Sequence, residues 1–329
     1  MTPAPPQAEN NPTTAIAFIL AGMFFISVND ALIKQLSGDY PLHQMVFVRS
    51  AIGIGFSLIL VHFEGGFSIL KTSTPGLHII RGLLVVFANM TYFTALAVLP
   101  LADATALFFV APLFITLLSI PLLGEKVGPR RIGAVVVGFV GVLIMVRPGS
   151  AIADNVANWL VLLLPVVAAL SYALMQIMTR RLGLTTKASA MAVYIQLTFL
   201  AVSAGFFVVA GDGRYAVGVE DPSLIFLLRA WVWPETGDIW LFAALGVGST
   251  AVGYALSRAY KDADAATVAP FEYVALPLAI LWGWALWSEI PATETWAGIA
   301  LIVLSGLYVF LRERVKNREV AVKRPMRRY

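Results

Sequence analysis

Three charged residues stand out because each lies inside a long apolar stretch of the sequence. Asp30 and Arg49 occupy the first two of these stretches, and Glu272 lies in a much later one. A charge in hydrocarbon costs about 2.5–3.5 kcal/mol even on the lenient insertion scale, so such a residue is a candidate functional residue. Arginine can form a two-pronged contact with a carboxylate or phosphate, and a carboxylate can carry a proton. These residue types therefore indicate ligand binding and proton transfer.

Each of these charges also has a structural explanation. Asp30 and Arg49 fall at comparable depth on segments of opposite direction, so they could pair, and Lys34 follows Asp30 by one helical turn as a second candidate partner. A buried pair would set the helix register. In the functional alternative, Asp30 and Arg49 would line the outer part of a cavity. Glu272 would either pair with Arg258 or a helix terminus, or it would bind substrate or couple a proton.

Other polar and aromatic side chains in the apolar stretches complete a predicted substrate-binding site with Asp30, Arg49 and Glu272. Each of them, taken singly, would also serve as a structural hydrogen-bonding group. Aromatic rings suit a planar ligand because they stack on it. Asp30 and Glu272 are the candidates for proton coupling. The further members of the predicted site are Asn29, Asn89, Tyr92, Tyr172, Gln176, Tyr194, Gln196, Tyr254 and Tyr273.

The composition places these residues in a membrane protein. Of the residues, 59% are hydrophobic and 13% are charged, against about 45–50% and 25% in soluble chains. The chain contains no cysteine and three histidines, which excludes disulfides and thiolate metal sites. We find neither HExxH nor GxxxxGK[ST]. The sequence therefore predicts no enzyme, no ATP-driven pump, no metal and no cofactor.

A spanning helix needs about 20 mostly apolar residues, and ten segments approach that length. The third and fourth are separated only by a predicted break near Pro100. The segment 223–233 is too short to span, so we predict an interfacial helix, with a re-entrant segment as the alternative. The ten predicted spans are 14–36, 42–63, 78–98, 101–123, 129–147, 157–179, 189–210, 238–259, 263–287 and 295–312.

Lysine and arginine residues concentrate in the loops on one side of this arrangement and in the tail 313–329. The positive-inside rule therefore predicts that both termini face the cytoplasm and that the chain lies in the inner membrane. The first stretch has no basic residues before it, unlike a cleaved signal, and is predicted to be a retained span. The basic tail suits a topology anchor or contact with anionic lipid, and nucleic acid is not a predicted partner.

Two stretches repeat a pattern, which indicates an internal duplication. Segments 125–147 and 289–312 both begin with glutamate and end with arginine, and each has two glycines eight positions apart. The repeats would be 14–147 and 157–312, with five helices each. An odd number of helices inverts the second copy, as in many secondary transporters. We predict that the four glycines allow close helix packing; they are Gly133, Gly141, Gly298 and Gly306.

Prolines recur in the fourth and ninth segments. Pro112 and Pro277 nearly align when the two repeats are superposed, and Pro121 and Pro270 lie in the same two segments. Proline interrupts a helix because it lacks the N–H donor. We therefore predict two broken helices, which would either expose carbonyl groups to a binding site or serve packing alone.

The passage ALAVLPLADATALFFVAPLFITLLSIPLLGEKVGPRRIGAVVVGFVGVLIMVR, residues 95–147, carries the strongest likeness to a known family. With its weaker copy at 257–312, it resembles the EamA-type ten-helix members of the drug/metabolite transporter superfamily. The resemblance implies an all-α integral membrane protein that transports a metabolite. ISVNDALIKQL followed by VFVRS is similar to members that import riboflavin or S-adenosylmethionine, through Asn29, Asp30, Lys34 and Arg49. Other members export amino acids and toxic compounds.

These observations predict ten transmembrane helices in two inverted five-helix repeats and a secondary active transporter that works by alternating access. The expected substrate is a small polar or aromatic metabolite, with riboflavin first. An exporter of amino acids or drugs is the alternative within the same class, and a passive channel is the alternative from another class. The expected partners are the substrate and membrane lipid, with protons as the candidate coupling ion; the sequence makes no prediction of oligomeric state.

Overall fold

A computed structural model describes residues 12–123, 128–146, 159–182, 186–262 and 269–322, and all regular elements in these ranges are helical. Glu125, Arg147 and the end of the basic tail lie outside the described residues. Short 3-10 helices occur at Phe67–Leu70 and Ala269–Val274. The α-helices are α1 (Pro12–Leu36), α2 (Leu42–Glu64), α3 (Pro75–Leu96), α4 (Leu101–Phe108), α5 (Ala111–Leu123), α6 (Pro129–Val146), α7 (Trp159–Leu182), α8 (Ala188–Ala210), α9 (Pro222–Leu228), α10 (Ile239–Asp262), α11 (Ala275–Trp287) and α12 (Thr293–Val322).

The lengths and compositions of these helices agree with an integral membrane protein. Among the described residues, 7 helices are long and apolar enough to cross a membrane, and three shorter apolar helices cover 132–145, 271–287 and 293–308. Helices satisfy their backbone hydrogen bonds internally, which hydrocarbon requires. The helix α12 continues to Val322, past the predicted end of the last segment at 312, so the first part of the predicted tail is helical.

Proline marks the predicted breaks. The third segment ends as a helix at Leu96, and α4 begins at Leu101 directly after Pro100, which confirms the predicted break. The fourth segment is interrupted between α4 and α5, just before Pro112. The ninth segment is also irregular, since a 3-10 helix containing Pro270 precedes α11.

The helices form two main groups. In the α1 group, α1 packs along α10 and against α11; in the α3 group, α7 packs along α3 and also contacts α4 and α5. The helices α2 and α8 pack on each other, with α2 also touching α10 and α8 also touching α3. The helices α6 and α12 form a separate close pair. The α1 and α3 groups meet most closely where α4 packs against α11.

Glycines allow the close approach of α6 and α12. A Cβ atom on Gly141 would lie 3.0 Å from the carbonyl oxygen of Gly298, and one on Gly298 would lie 2.9 Å from the carbonyl oxygen of Gly141. The two backbones therefore touch, which confirms the predicted packing role of this pair. Gly306 also packs closely, but against the hydroxyl of Tyr273.

The packing prediction is wrong for Gly133, because a Cβ atom there would meet no atom within 4 Å. Gly138 fills that role instead and faces Leu113 of α5 and Ser305 of α12. Residues on an α-helix are rotated by about 100° from each other, so a separation of eight positions leaves them about 80° apart. Gly133 and Gly141 therefore do not share one face.

We call the end of the bundle at which α1 finishes and α2 starts the Lys34 end, and the opposite one the Arg81 end. The segment 223–233 covers the Lys34 end. Its helix ends at Leu228, earlier than predicted. Gln44 then holds the following chain, since its side-chain amide nitrogen Nε2 donates to the carbonyl of Val232 (2.6 Å) and its Oε1 accepts from the N–H of Val232 (3.2 Å). The Trp231 ring lies 4.5 Å from that of Phe207. The segment is thus docked on α2 and α8.

Replacing Gln44 with alanine is expected to loosen this docking, because both hydrogen bonds to Val232 are lost. Two such bonds contribute about 1–3 kcal/mol together. Hydrogen exchange of the amides in 229–233, measured in detergent, should become faster by about tenfold. Gln35→Ala on α1, where the side chain is exposed, is the control and should leave exchange unchanged. Equal protection in both variants would show that the ring contacts alone hold the segment.

Candidate functional site

A buried hydrogen-bonded cluster joins α1, α3 and α4. The Tyr92 hydroxyl donates to Oδ2 of Asp30 (3.1 Å) and lies 3.2 Å from the hydroxyl of Thr105. Tyr92 and Thr105 are buried, and Asp30 keeps a small exposed fraction. We call these three residues the Asp30 cluster. It places a carboxylate from the α1 group against the Tyr92 hydroxyl of the α3 group, which in turn contacts the hydroxyl of Thr105.

Arg49 lies beside this cluster without an ion pair. It is 8% exposed, and its guanidinium donates to Oδ1 of Asn89 (3.2 Å). Asn89 is oriented by its own bond to the carbonyl of Val85 (3.1 Å). The rings of Phe93 and Phe199 lie 5.8 Å and 5.3 Å from the guanidinium carbon. Cation–π attraction of this kind offsets part of the cost of burial.

The predicted pairing of Asp30 and Arg49 is only partly right. The two charges interact electrostatically, but they form no contact within the 4.0 Å limit of an ion pair, although both residues are described. Asn89 supplies the direct acceptor for the guanidinium. Both charges therefore keep hydrogen-bonding capacity that a ligand can use.

The predicted pairing of Lys34 with Asp30 is wrong. The Lys34 ammonium group contacts Oε1 of Glu289 at 2.6 Å and the carbonyl oxygen of Leu99 at 2.6 Å. Its Nζ also lies 5.1 Å from the centre of the Trp287 ring. The two hydrogen bonds to these oxygens, which the tertiary fold brings close, are stronger than a single i,i+4 ion pair on the surface of one helix.

A row of three rings leads from the Asp30 cluster to α7. The ring centroids of Tyr92 and Phe108 are 5.3 Å apart, and those of Phe108 and Tyr172 are 5.4 Å apart. Gln176 donates to the Tyr172 hydroxyl (2.6 Å). Glu272 interacts electrostatically with Tyr172. The aromatic row therefore has a carboxylate near each end and an amide beside it.

Tyr273 lies next to this region, with its ring 5.3 Å from that of Phe109. It also interacts electrostatically with Glu272. Its hydroxyl is buried and makes no hydrogen bond among the described residues. Arg258, the predicted partner of Glu272, places its guanidinium 5.9 Å from the Phe18 ring.

Four residues of the predicted site lie elsewhere. Asn29 donates to the carbonyl of Leu245 (3.3 Å) at the contact of α1 with α10, and Gln196 lies against Gly53 of α2. Tyr194 and Tyr254 are also remote. They lie on suitable segments, but on helix faces that turn toward other helices or outward.

Tyr194 donates to the carbonyl of Leu70 at the Arg81 end, and its ring packs 4.5 Å from that of His78. Tyr254 is 41% exposed and forms an edge contact with Phe18. Neither contact reaches the Asp30 cluster.

Sequence reasoning missed the rings of Phe93, Phe108 and Phe199, because a phenylalanine in an apolar segment carries no signal of its own. It also missed Thr105, although a hydroxyl in the fourth segment is such a signal. Glu289 was noted only as the start of a repeat. Among the described residues, no group of three His, Cys, Asp or Glu residues is placed to hold a metal ion.

A narrow apolar cavity adjoins Arg49 from the Lys34 end. It lies between α2, α3 and α8 and is covered by α9. Asn89 and Phe199, which both contact Arg49, form part of its wall. The lining residues are Leu42, His43, Val46, Val86, Asn89, Met90, Phe199, Val202, Ser203, Phe206 and Leu227.

Comparison with known proteins shows that this chain is similar to transporters. Residues 13–147 match the EamA-like transporter family. The chain is 31% identical to the riboflavin transporter of Vibrio cholerae serotype O1 over 92% of this chain and 95% of that protein. It is 25% identical to an S-adenosylmethionine uptake transporter of Rickettsia prowazekii, covering 91% and 93% of the two chains. It is 30% identical to the pseudopaline exporter CntI of Pseudomonas aeruginosa, covering 89% and 94%.

A solved crystal structure shares the fold, with a TM-score of 0.62 and 22% identity over 92% of this chain and 98% of that one. The helical architecture, the apolar spans and a relative above 30% identity over nearly the full length agree with each other. The chain belongs to the EamA-like transporter family, within the drug/metabolite transporter superfamily.

Proposed function

We propose that this chain is a secondary active transporter that moves a small polar or aromatic metabolite across the inner membrane by alternating access. The observation that carries the proposal is the position of the Asp30 cluster. Asp30 belongs to the α1 group, whereas Tyr92 and Thr105 belong to the α3 group. A site between two helix groups opens to either side when one group rocks against the other.

The packing supports ten spans in two inverted repeats, 14–147 and 157–312. Counting α4 with α5 as one span and the 3-10 helix Ala269–Val274 with α11 as another, the first span packs on the eighth, and the third on the sixth. A shift by five spans exchanges these two pairs. The pairs α2 with α8 and α6 with α12 are each exchanged with themselves. An inverted duplication predicts this pattern.

The distribution of basic residues supports an orientation with both termini in the cytoplasm. The Lys34 end would then face outward, and the Arg81 end would face the cytoplasm. The tail 313–329 would lie on the cytoplasmic side, where anionic headgroups attract its basic residues.

Riboflavin is the leading candidate substrate. The relatives at 31% and 29% identity are named riboflavin transporters, and the row of three rings suits a flat heterocycle. The proposed contacts retain the predicted residues that the fold brings to this region, with Asp30 and Glu272 as the candidates for proton coupling. They are Asp30, Arg49, Asn89, Tyr92, Tyr172, Gln176, Glu272 and Tyr273.

Export of amino acids or drugs is the second candidate. Asp30 and Arg49 carry opposite charges without a direct ion pair, so they suit the two charges of a zwitterion. The resemblance to a pseudopaline exporter also favours this direction.

Growth of a riboflavin auxotroph on limiting riboflavin, with and without this chain, tests the leading proposal. Uptake into proteoliposomes should saturate and should be stimulated by riboflavin on the opposite side. Rates that rise linearly with concentration would indicate a channel, and no movement of riboflavin would remove it as the substrate. Parallel assays with S-adenosylmethionine and amino acids would then decide between the remaining candidates.

Glu272→Gln tests proton coupling. Glutamine keeps the shape and the hydrogen-bonding capacity but cannot release a proton, so uptake should fall by about tenfold, as expected for a charged hydrogen bond of about 1.5–3 kcal/mol. The stimulation by an inward proton gradient should also disappear. Glu220→Gln, at an exposed loop position, is the control. A variant with the normal rate and the normal pH profile would exclude Glu272 as the coupling residue.

A further inference from the structure

The Lys34–Glu289 ion pair is hydrogen-bonded to the turn that joins α3 to α4. Lys34 Nζ donates to the carbonyl of Leu99 (2.6 Å), and Oε2 of Glu289 accepts from the N–H of Leu101 (3.0 Å). The same two side chains bond to each other at 2.6 Å. A cation beside the end of α3 and an anion at the start of α4 both complement the helix dipoles. Opposite charges thus hold the two sides of one turn.

The hydrogen bonds of this ion pair to the turn connect the two helix groups. Lys34 lies on α1 and Glu289 follows α11 by two positions, so both belong to the α1 group. The turn Leu99–Leu101 belongs to the α3 group. The ion pair itself lies within one group, whereas the bonds to Leu99 and Leu101 are the ones that a relative movement of the groups would break.

The ion pair and the turn are also connected to the Asp30 cluster. Lys34 lies one helical turn beyond Asp30 on α1, and Thr105 lies one turn beyond Leu101 on α4. Thr105 contacts Tyr92, which bonds to Asp30. The contacts therefore form a closed ring through α1, the α11 end, α4 and α3. A change at Asp30 on ligand binding has a short physical route to the turn.

We propose that Lys34 and Glu289 form a latch that closes the Lys34 end above the Asp30 cluster and releases the α3–α4 turn once in every transport cycle. This inference rests on the proposed alternating access. The Lys34 side chain is 9% exposed and that of Glu289 is 24% exposed. Water can therefore reach the carboxylate and replace its bond to Leu101 without leaving a fully buried charge unpaired.

A purely structural cap on α4 would require the same contacts but no movement, and a cross-link separates the two cases. A Cβ atom on Gly283 of α11 would lie 3.9 Å from Cβ of Leu101, within the range of about 3.5–4.5 Å that a disulfide requires. The chain has no cysteine of its own. The double variant Leu101→Cys with Gly283→Cys therefore ties the two groups together beside the latch and leaves the backbone N–H of residue 101 available.

After oxidation, riboflavin uptake by this variant should fall at least about tenfold, as a locked two-state equilibrium requires, and a reductant should restore it. The matched control is Gly22→Cys with Ala255→Cys, whose Cβ atoms would be 3.4 Å apart, close to the lower end of the disulfide range, between α1 and α10 of the same group. Its oxidation should leave uptake unchanged. If the oxidised double variant transports as fast as the same variant after treatment with a reductant, the latch is overturned.

A second readout needs no substrate. Thr105→Cys serves as a reporter of access to the cluster, and a membrane-impermeant maleimide is applied to each side in turn. Adding Lys34→Gln and Glu289→Gln should raise labelling from the Lys34 side about tenfold, because two charge-assisted bonds become neutral ones. Lys34→Arg with Glu289 unchanged keeps both charges and should keep labelling low.

The two readouts keep the latch and the proposed function distinguishable. A folded chain that moves neither riboflavin nor the other compounds tested would contradict the proposed function, and labelling would still decide the latch. Labelling that stays the same with and without Lys34→Gln and Glu289→Gln would overturn the latch even if transport is observed. Size-exclusion profiles like that of the wild type would show that each variant is folded.

Discussion

Asp30→Asn is expected to lower the transport rate by about 10- to 100-fold with little change in folded yield. Asparagine keeps the volume and an oxygen that accepts the Tyr92 hydroxyl bond, but it removes the charge that acts on Arg49. A hydrogen bond to a charged group contributes about 1.5–3 kcal/mol, and about 1.4 kcal/mol corresponds to a tenfold change. Initial uptake rates in proteoliposomes, normalised to folded protein, provide the measurement.

A second variant separates binding from charge balance at this position. If Asp30 only offsets the buried charge of Arg49, then Asp30→Asn combined with Arg49→Gln should transport normally, since the pair becomes neutral. If both residues contact the substrate, the double variant should be as slow as the slower single variant or slower. Recovery of transport in the double variant would remove Asp30 from the substrate site. Tyr92→Phe should have a smaller effect because the carboxylate remains.

Gly141→Leu is expected to destabilise the fold strongly, whereas Gly133→Leu on the same helix is expected to be nearly neutral. At Gly141 the first side-chain carbon would lie 3.0 Å from the carbonyl oxygen of Gly298, and a backbone cannot move aside as a side chain can. At Gly133 there is no atom within 4 Å. Overpacking costs about 1–3 kcal/mol and sometimes more, so we expect the upper part of that range at Gly141.

The apparent melting temperature in detergent should therefore fall by about 5–10 °C for Gly141→Leu and change by less than about 2 °C for Gly133→Leu. The two variants are closely matched, because residue type, helix and substitution are the same. Only the atoms packed against the glycine differ. Equal melting temperatures would show that α6 and α12 separate at little cost and that the glycine contact is not what holds them.

The fold brings only some residues of the predicted site together, and their positions show why. Asp30, Tyr92, Tyr172, Gln176 and Glu272 were selected as polar residues in apolar segments, and the fold brings them to the aromatic row. Residues chosen by the same criterion elsewhere did not join them. The criterion detects that a polar group is buried in a membrane protein, but it does not detect which helix the group faces.

Asn29 and Asp30 make this plain, because they are neighbours in the chain and serve different contacts. Asn29 donates to a carbonyl on α10, whereas Asp30 accepts from Tyr92 on α3. Adjacent residues on a helix point about 100° apart. A correct segment boundary with an unknown helix rotation therefore cannot assign either side chain to a site.

The sequence by itself determined the membrane class, the helical segments and the break at Pro100, since each depends on local properties. Transfer to hydrocarbon is a sum over consecutive residues, and the effect of proline on a helix is local. Only the tertiary structure decided that Lys34 pairs with Glu289, 255 positions away, in place of Asp30 on its own helix. That choice depends on which helices pack together and how each is rotated, and both are collective properties of the folded chain.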